Sequence, residues 1–254
     1  MDTRYGLVLK SFSLGGLISY YVPAPFGRFS IKSRLSLPGR AGWVCQEVVG
    51  PLCLLYKLRT WPAMAWTGQL AAAMFLLHYL NRSLIFPLCI QPSYGDTHVL
   101  VVAGAMLWQV CNGHVQAIAM HEAVEASRVR TTVALLLYVL GLAGNVYHDL
   151  ILARLRHKQG SKTKYSVPHG CLFALVSYPH YLLEWIEWTG YALLLGSAGR
   201  YAGLWFVLLE VSVMLPRALR GHAWYASTFK SSSSSSSSPL VLPATRRAII
   251  PYLL

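Results

Sequence analysis

The chain has 254 residues, 55% of them apolar and only 12% charged, about half the charged share of a soluble globular domain. Its formal net charge of +13 comes from 22 Lys and Arg against 9 Asp and Glu; in a chain of mean hydropathy +0.44 this excludes a disordered protein and leaves nucleic-acid binding without support. The composition is that of an all-α protein that crosses a membrane several times, and no glycine period suggests a collagen-like rod.

Apolar stretches approaching the roughly 20 residues needed to cross a bilayer occur at 5–22, 41–56, 63–80, 97–115, 131–146, 172–196 and 201–215. They predict about seven transmembrane helices enclosing a cavity. The first lacks the basic leader and small-residue cleavage site of a signal peptide and is expected to be retained. The second carries Gln46 and Glu47 at its middle, and the third closes on His78, Tyr79, Asn81 and Arg82 before Pro87. A buried Glu beside a Tyr can polarise a carbonyl by hydrogen bonding. The same pair also fits a helix-packing acid and an interfacial aromatic.

In the fourth span Gln109 and Asn112 would be expensive against lipid. At the end of the fifth, Asn145 and Asp149 share a helical face, with Arg156 two turns further. In the sixth, His180, Glu184, Trp188 and Tyr191 follow i, i+4, i+8 and i+11 and share a face that is expected to look inward, with Glu187 one turn on from Glu184. Together with Glu210, these place five of the nine acids in or at the ends of spans. Interhelical bonds explain one such residue; five, with amides beside them, predict a polar cavity.

Of the 22 Lys and Arg, 15 fall in the loops after spans one, three and five and in the C-terminal tail, against 6 on the other side. By the positive-inside rule the C-terminus is cytosolic and the N-terminus is not. The basic loop Arg154 to Lys164, with Arg217 and Arg220, can grip phosphates, although such loops are basic in any membrane protein. No Gly-x-Gly-x-x-Gly or P-loop pattern occurs. The serine run 231–238 reads as a flexible insertion. The five cysteines form no CxxC pair, and the nine histidines no clustered ligand boxes, so no disulfide framework or metal site is expected.

Several ordered motifs together resemble a family. Gly144-Asn145-Val146-Tyr147-His148-Asp149, Leu155-Arg156, Tyr165-Ser166-Val167-Pro168-His169-Gly170 and Glu184-Trp185-Ile186-Glu187-Trp188 are similar to the C-terminal domain of the steroid 5α-reductases (3-oxo-5α-steroid 4-dehydrogenases). Arg217, His222, Trp224-Tyr225, Phe229 and Arg247-Ala248-Ile249-Ile250-Pro251 continue the likeness. Pro25-Phe26-Gly27-Arg28, Gln46-Glu47 and His78-Tyr79-x-x-Arg82 resemble the steroid-acting branch rather than the polyprenol and enoyl-CoA reductases.

The resemblance implies a multi-pass reductase of the endoplasmic reticulum membrane that uses NADPH to saturate the C4–C5 double bond of a 3-oxo-Δ4 steroid. It implies that Glu47 and Tyr79 hold the 3-oxo group and that Gln46 lies beside the nicotinamide. It sets Arg28, Asn145, Asp149, Arg156, Tyr165, His180, Glu184, Trp188, Arg217, His222 and Tyr225 around the cofactor. On this reading residues 1–115 form the substrate side and 116–254 the cofactor side, the partners are a steroid and the bilayer with no nucleic acid, and a monomer is compatible. This chain departs from the family at His180, where an Asn is frequent, in Gln91-Pro92-Ser93-Tyr94-Gly95, which lacks the basic residue common there, and at Gly221. A membrane methyltransferase of the isoprenylcysteine carboxyl kind would also be small, multispanning and basic at its C-terminus. A seven-helix receptor or transporter would not account for the motifs.

Overall fold

The computed structural model describes residues 20–21, 33–60, 63–159, 166–229, 242–243 and 245–254. Arg28, Tyr165, the serine run and most of the first predicted span lie outside them.

The described residues are mostly helical. β1 (Ser36–Leu37) leads into α1 (Gly39–Thr60), and α2 (Trp66–Leu80) runs without interruption into a π-helical stretch, Asn81–Ile90. β2 (Thr97–His98) precedes α3 (Val99–His121), followed by α4 (Arg128–Gln159), a 3₁₀ turn (Cys171–Ala174) and α5 (Pro179–Thr228). The only sheet among the described residues is the pair β1 and β2, antiparallel with Ser36 opposite His98, which ties the start of α1 to the start of α3. The expectation of a purely helical chain is corrected to that extent. α4 packs most extensively on α5, and α1 on α3.

Six of the predicted spans fall on these helices, with shifted ends. The third continues past Leu80 through Pro87, because the wider π turn leaves room for a ring that in an α-helix would strike the carbonyl four residues earlier. The Ser83 hydroxyl donates to the Tyr79 carbonyl at 2.5 Å and occupies an acceptor at that transition. The sixth starts at Pro179 rather than Leu172, with Pro at the first helical turn, where its missing N–H leaves nothing unbonded. Among the described residues three stretches, Trp66–Ile90, Arg128–His157 and Ala202–Thr228, are long and apolar enough to cross a membrane, fewer than the seven spans expected from the sequence.

α5 is two arms. Gly196, at φ 62° and ψ −128°, interrupts it in a conformation open to glycine and closed to residues with a Cβ. The arms then fold together, and Gly203 backs onto Ala192. At the N-terminus of α2 the Glu125 carboxylate, from the α3–α4 connection, accepts from the Trp66 N–H at 2.8 Å and the Thr67 hydroxyl at 3.1 Å, supplying negative charge to the helix start.

The core is aromatic. Phe75, Tyr79, Trp188, Tyr191 and Phe206 are buried together, with Phe75 and Tyr79 centroids 4.6 Å apart and Trp188 edge-on to Phe206 at 4.6 Å. The outward faces are apolar: Leu100, Leu107, Leu136 and Leu140 are all exposed. Polar groups inside and leucines outside are the arrangement that lipid imposes on a helix bundle.

Candidate functional site

The first cluster joins α1, α2 and α3. Glu47 is half-buried, and its two carboxyl oxygens accept from Gln46 at 3.2 Å and from Gln109 at 3.0 Å. Tyr79 is buried, and its hydroxyl accepts from Asn112 at 3.2 Å. Gln109 and Asn112, costly against lipid, thus face inward and meet the two residues that the sequence singled out. They were missed as site residues because periodicity shows which face is polar and not what it touches. Gln109, Asn112 and Gln116 at i, i+3 and i+7 were the available signal.

A second cluster lies between α2, the π stretch, α4 and α5. Asn145 donates to the His180 carbonyl at 2.9 Å and to Glu184 at 3.2 Å. Asp149 and Glu184 are both 5% exposed. Asp149 faces the Arg82 guanidinium at 3.5 Å, and Arg82 also lies over the Trp43 and Phe86 rings at 4.9 and 5.2 Å. Trp43 in turn donates its indole N–H to the Arg82 carbonyl at 3.0 Å. The π stretch is what swings Arg82 across to α4 from a helix whose previous turn carries Tyr79. His78, one residue before Tyr79, pairs with Glu187 at 2.8 Å and lies 4.0 Å from Glu184. His78 and Glu187 thus hold α2 to α5, a pairing the sequence left unseen.

Arg156 is exposed at the rim, close enough for its charge to act on Asp149 and His180. Trp188 is buried, and its indole nitrogen, the His180 Nδ1 and the Gln109 Oε1 have no hydrogen-bond partner among the described residues. Unpaired polar atoms inside an apolar bundle are costly, and each marks a point at which a polar ligand would bond.

The third cluster forms where the C-terminal segment docks. Val176 bridges to Arg247, the Ser177 N–H donates to the Arg247 carbonyl at 2.9 Å, and the Tyr178 N–H donates to the Ala248 carbonyl at 3.0 Å. His222 Nδ1 meets the Ser177 hydroxyl at 2.8 Å, and the Tyr225 ring stacks with Phe229 at 5.9 Å. Arg217 and Tyr225 are half-buried on the same helical arm. Arg246 was absent from the sequence-based set. It is 2% exposed, and none of its three guanidinium nitrogens has a hydrogen-bond partner among the described residues. Burial pushes this group below the usual arginine range. A buried, unpaired guanidinium is completed by an anion.

The loop that lacks the family's basic residue is held from elsewhere. Arg40 donates to the Gln91 and Pro92 carbonyls at 3.1 and 3.0 Å and lies 6.0 Å from the Tyr94 ring, whose hydroxyl is pushed up to about 12 by burial. An apolar recess of about 410 Å³, lined by Val49, Leu52, Cys53 and Val110 among others, opens between α1 and α3 and contains none of the site residues.

The sequence pattern of the family described as 3-oxo-5-alpha-steroid 4-dehydrogenase matches residues 95–254. The chain is 34% identical to 3-oxo-5-alpha-steroid 4-dehydrogenase 1 of Rattus norvegicus, over 95% of this chain and 90% of that protein. It is 30% identical to steroid 5-alpha-reductase DET2 of Arabidopsis thaliana, over 70% of this chain and 67% of that protein. It is also 35% identical to an uncharacterised protein of Schizosaccharomyces pombe, over 98% of each.

Proposed function

We propose that this chain, which belongs to the 3-oxo-5-alpha-steroid 4-dehydrogenase family, is an NADPH-dependent reductase of the C4–C5 double bond of 3-oxo-Δ4 steroids. The observation that carries the reading is the convergence of Glu47 and Tyr79 on the amides of α3 inside an apolar bundle. That is a place to hold one polar oxygen of an otherwise apolar molecule.

In this reading Glu47, in its protonated form, and Tyr79 donate hydrogen bonds to the 3-oxo group. Drawing charge onto that oxygen makes the far carbon of the conjugated enone electrophilic, and bonds that strengthen as the enolate oxygen gains charge lower the barrier. The packed rings of Phe75, Trp188 and Phe206 exclude water and so sharpen those bonds. NADPH, when bound, would supply the hydride to the β-carbon, and a proton taken up at the α-carbon completes the saturated ketone. The residues present fit such a group: Arg246 is a guanidinium awaiting an anion, Arg217, His222 and Tyr225 lie on the adjoining arm, and Arg156 stands at the rim. Asn145, Asp149, Glu184, His180 and Trp188 would meet its uncharged parts, with Gln46 at the junction of the two ligands. Arg28 and Tyr165 extend the same assignment. Residues 1–115 then serve the substrate and 116–254 the cofactor, in a seven-span protein of the endoplasmic reticulum with a cytosolic C-terminus.

The test is a panel of enones with NADPH, the purified protein in detergent or lipid, and mass spectrometry of the product. A saturated 3-oxo steroid is expected. Glu47→Gln and Tyr79→Phe are expected to lower kcat by about 100-fold or more, the scale of a lost oxyanion donor, with little change in KM for NADPH, whereas Arg156→Ala raises that KM. Reduction of a polyprenol or an enoyl-CoA, with no steroid product, would sink the assignment.

A further inference from the structure

Behind Tyr79 lies a line of three hydrogen-bonding side chains and one backbone carbonyl that no step above uses. Asn112 donates to the Tyr79 hydroxyl at 3.2 Å, Gln116 donates to the Asn112 oxygen at 3.1 Å, and the Tyr191 hydroxyl donates to the Gln116 oxygen at 2.9 Å. Gln116 also donates to the Ala202 carbonyl at 3.1 Å. Asn112, Gln116, Tyr191 and Ala202 are each 0% exposed and Tyr79 is 3% exposed, so water is not there to exchange for any of these bonds.

The direction of the line follows from one atom. A backbone carbonyl only accepts, so the end of Gln116 facing Ala202 is its amide nitrogen. That nitrogen has a second hydrogen, which goes to Asn112 and obliges Asn112 to present its oxygen there. The Asn112 nitrogen is then turned to Tyr79, and the Gln116 oxygen to Tyr191. Each side-chain amide has one arrangement that satisfies all its neighbours. The phenol oxygen of Tyr79 therefore receives a hydrogen bond from behind, and its own hydrogen is directed away from Asn112.

We propose that Asn112 and Gln116, fixed by Tyr191 and the Ala202 carbonyl, are positioning residues that aim the Tyr79 hydroxyl hydrogen at the substrate oxygen. The proposal deepens the reading above and rests on it. Tyr79 is a rotor with one hydrogen, and without Asn112 that hydrogen has two directions. With Asn112 donating, the hydrogen is barred from that side before substrate arrives, with Gln109 as its other neighbour, and the donated bond strengthens as the phenol oxygen gains charge by sharing its hydrogen with the enolate oxygen. Tyr191 and Ala202 lie on opposite arms of α5, on either side of Gly196, so the aim of Tyr79 depends on the two arms being folded together.

Two variants test this. Asn112→Leu removes the donor while keeping the branching and heavy-atom count of the side chain. Asn112→Asp keeps the shape and replaces the donor by an acceptor, which would draw the Tyr79 hydrogen backward. Both are measured for kcat and for KM of NADPH, alone and combined with Tyr79→Phe, with the melting midpoint as a check of folding. The expected result is a fall in kcat of at least about 10-fold for each, an unchanged KM for NADPH, and no further fall when either is added to Tyr79→Phe. Equal loss in both backgrounds would mean that Asn112 only supports the fold, and kcat equal to the parent's would remove the role altogether. If Asn112→Leu does not fold, Asn112→Asp carries the same comparison. A parent protein that reduces no enone overturns the functional reading and the role with it, whereas an active parent with indifferent variants overturns the positioning role alone.

Discussion

His78 stands between two functions of one helix turn, because it precedes Tyr79 and bonds Glu187, which is 0% exposed. Removing one partner of such a pair strands the other in an apolar interior. His78→Leu is therefore expected to destabilise the protein by about 3–5 kcal/mol, read as a lowered melting midpoint, with Glu187→Gln milder because an amide still meets the imidazole. Gly221 is a second decisive residue. A Cβ there would land on the Tyr178 hydroxyl, so that hydroxyl occupies the space that any side chain at 221 would need. Gly221→Ala is expected to cost about 1–3 kcal/mol by overpacking and, by displacing Tyr178 from the Ala248 carbonyl, to weaken NADPH binding in a titration.

Among elements, α5 depends on its interruption. Gly196→Ala places a Cβ against the Arg130 guanidinium, which can move aside, and in a backbone conformation that cannot. A loss of about 1–3 kcal/mol is expected, together with lowered kcat if the two arms no longer meet at Gln116. This scale also shows where the sequence was legible. The inward face of His180, Glu184, Trp188 and Tyr191 followed from helical spacing alone. The continuation of α2 through Pro87 did not, since a proline ordinarily ends a helix and only the π turn relieves it. The Arg82–Asp149 and His78–Glu187 contacts were hidden for a different reason: they join residues 67 and 109 positions apart, and local periodicity carries no record of partners.

For the whole molecule, the outward leucines and inward amides predict that the protein stays in the membrane pellet after high salt and alkaline wash. The uneven basic residues give the orientation a direct test. Cys171 is exposed in the connection after α4, on the side with most Lys and Arg. In a variant retaining only that thiol, an impermeant maleimide added to sealed microsomes should label it without detergent; protection until detergent is added would reverse the orientation. Arg246 shows what neither composition nor charge asymmetry reveals, because a buried unpaired guanidinium differs from a loop arginine only once the chain has folded.

The bend at Gly196 also bears on how the protein is made. Its two arms are joined by a tight turn, so the first arm reaches its packed state only once the second has folded back on it. A chain arrested between Leu195 and Phe206 should lack the Phe206 ring that packs edge-on against Trp188, read as heightened protease sensitivity of the first arm.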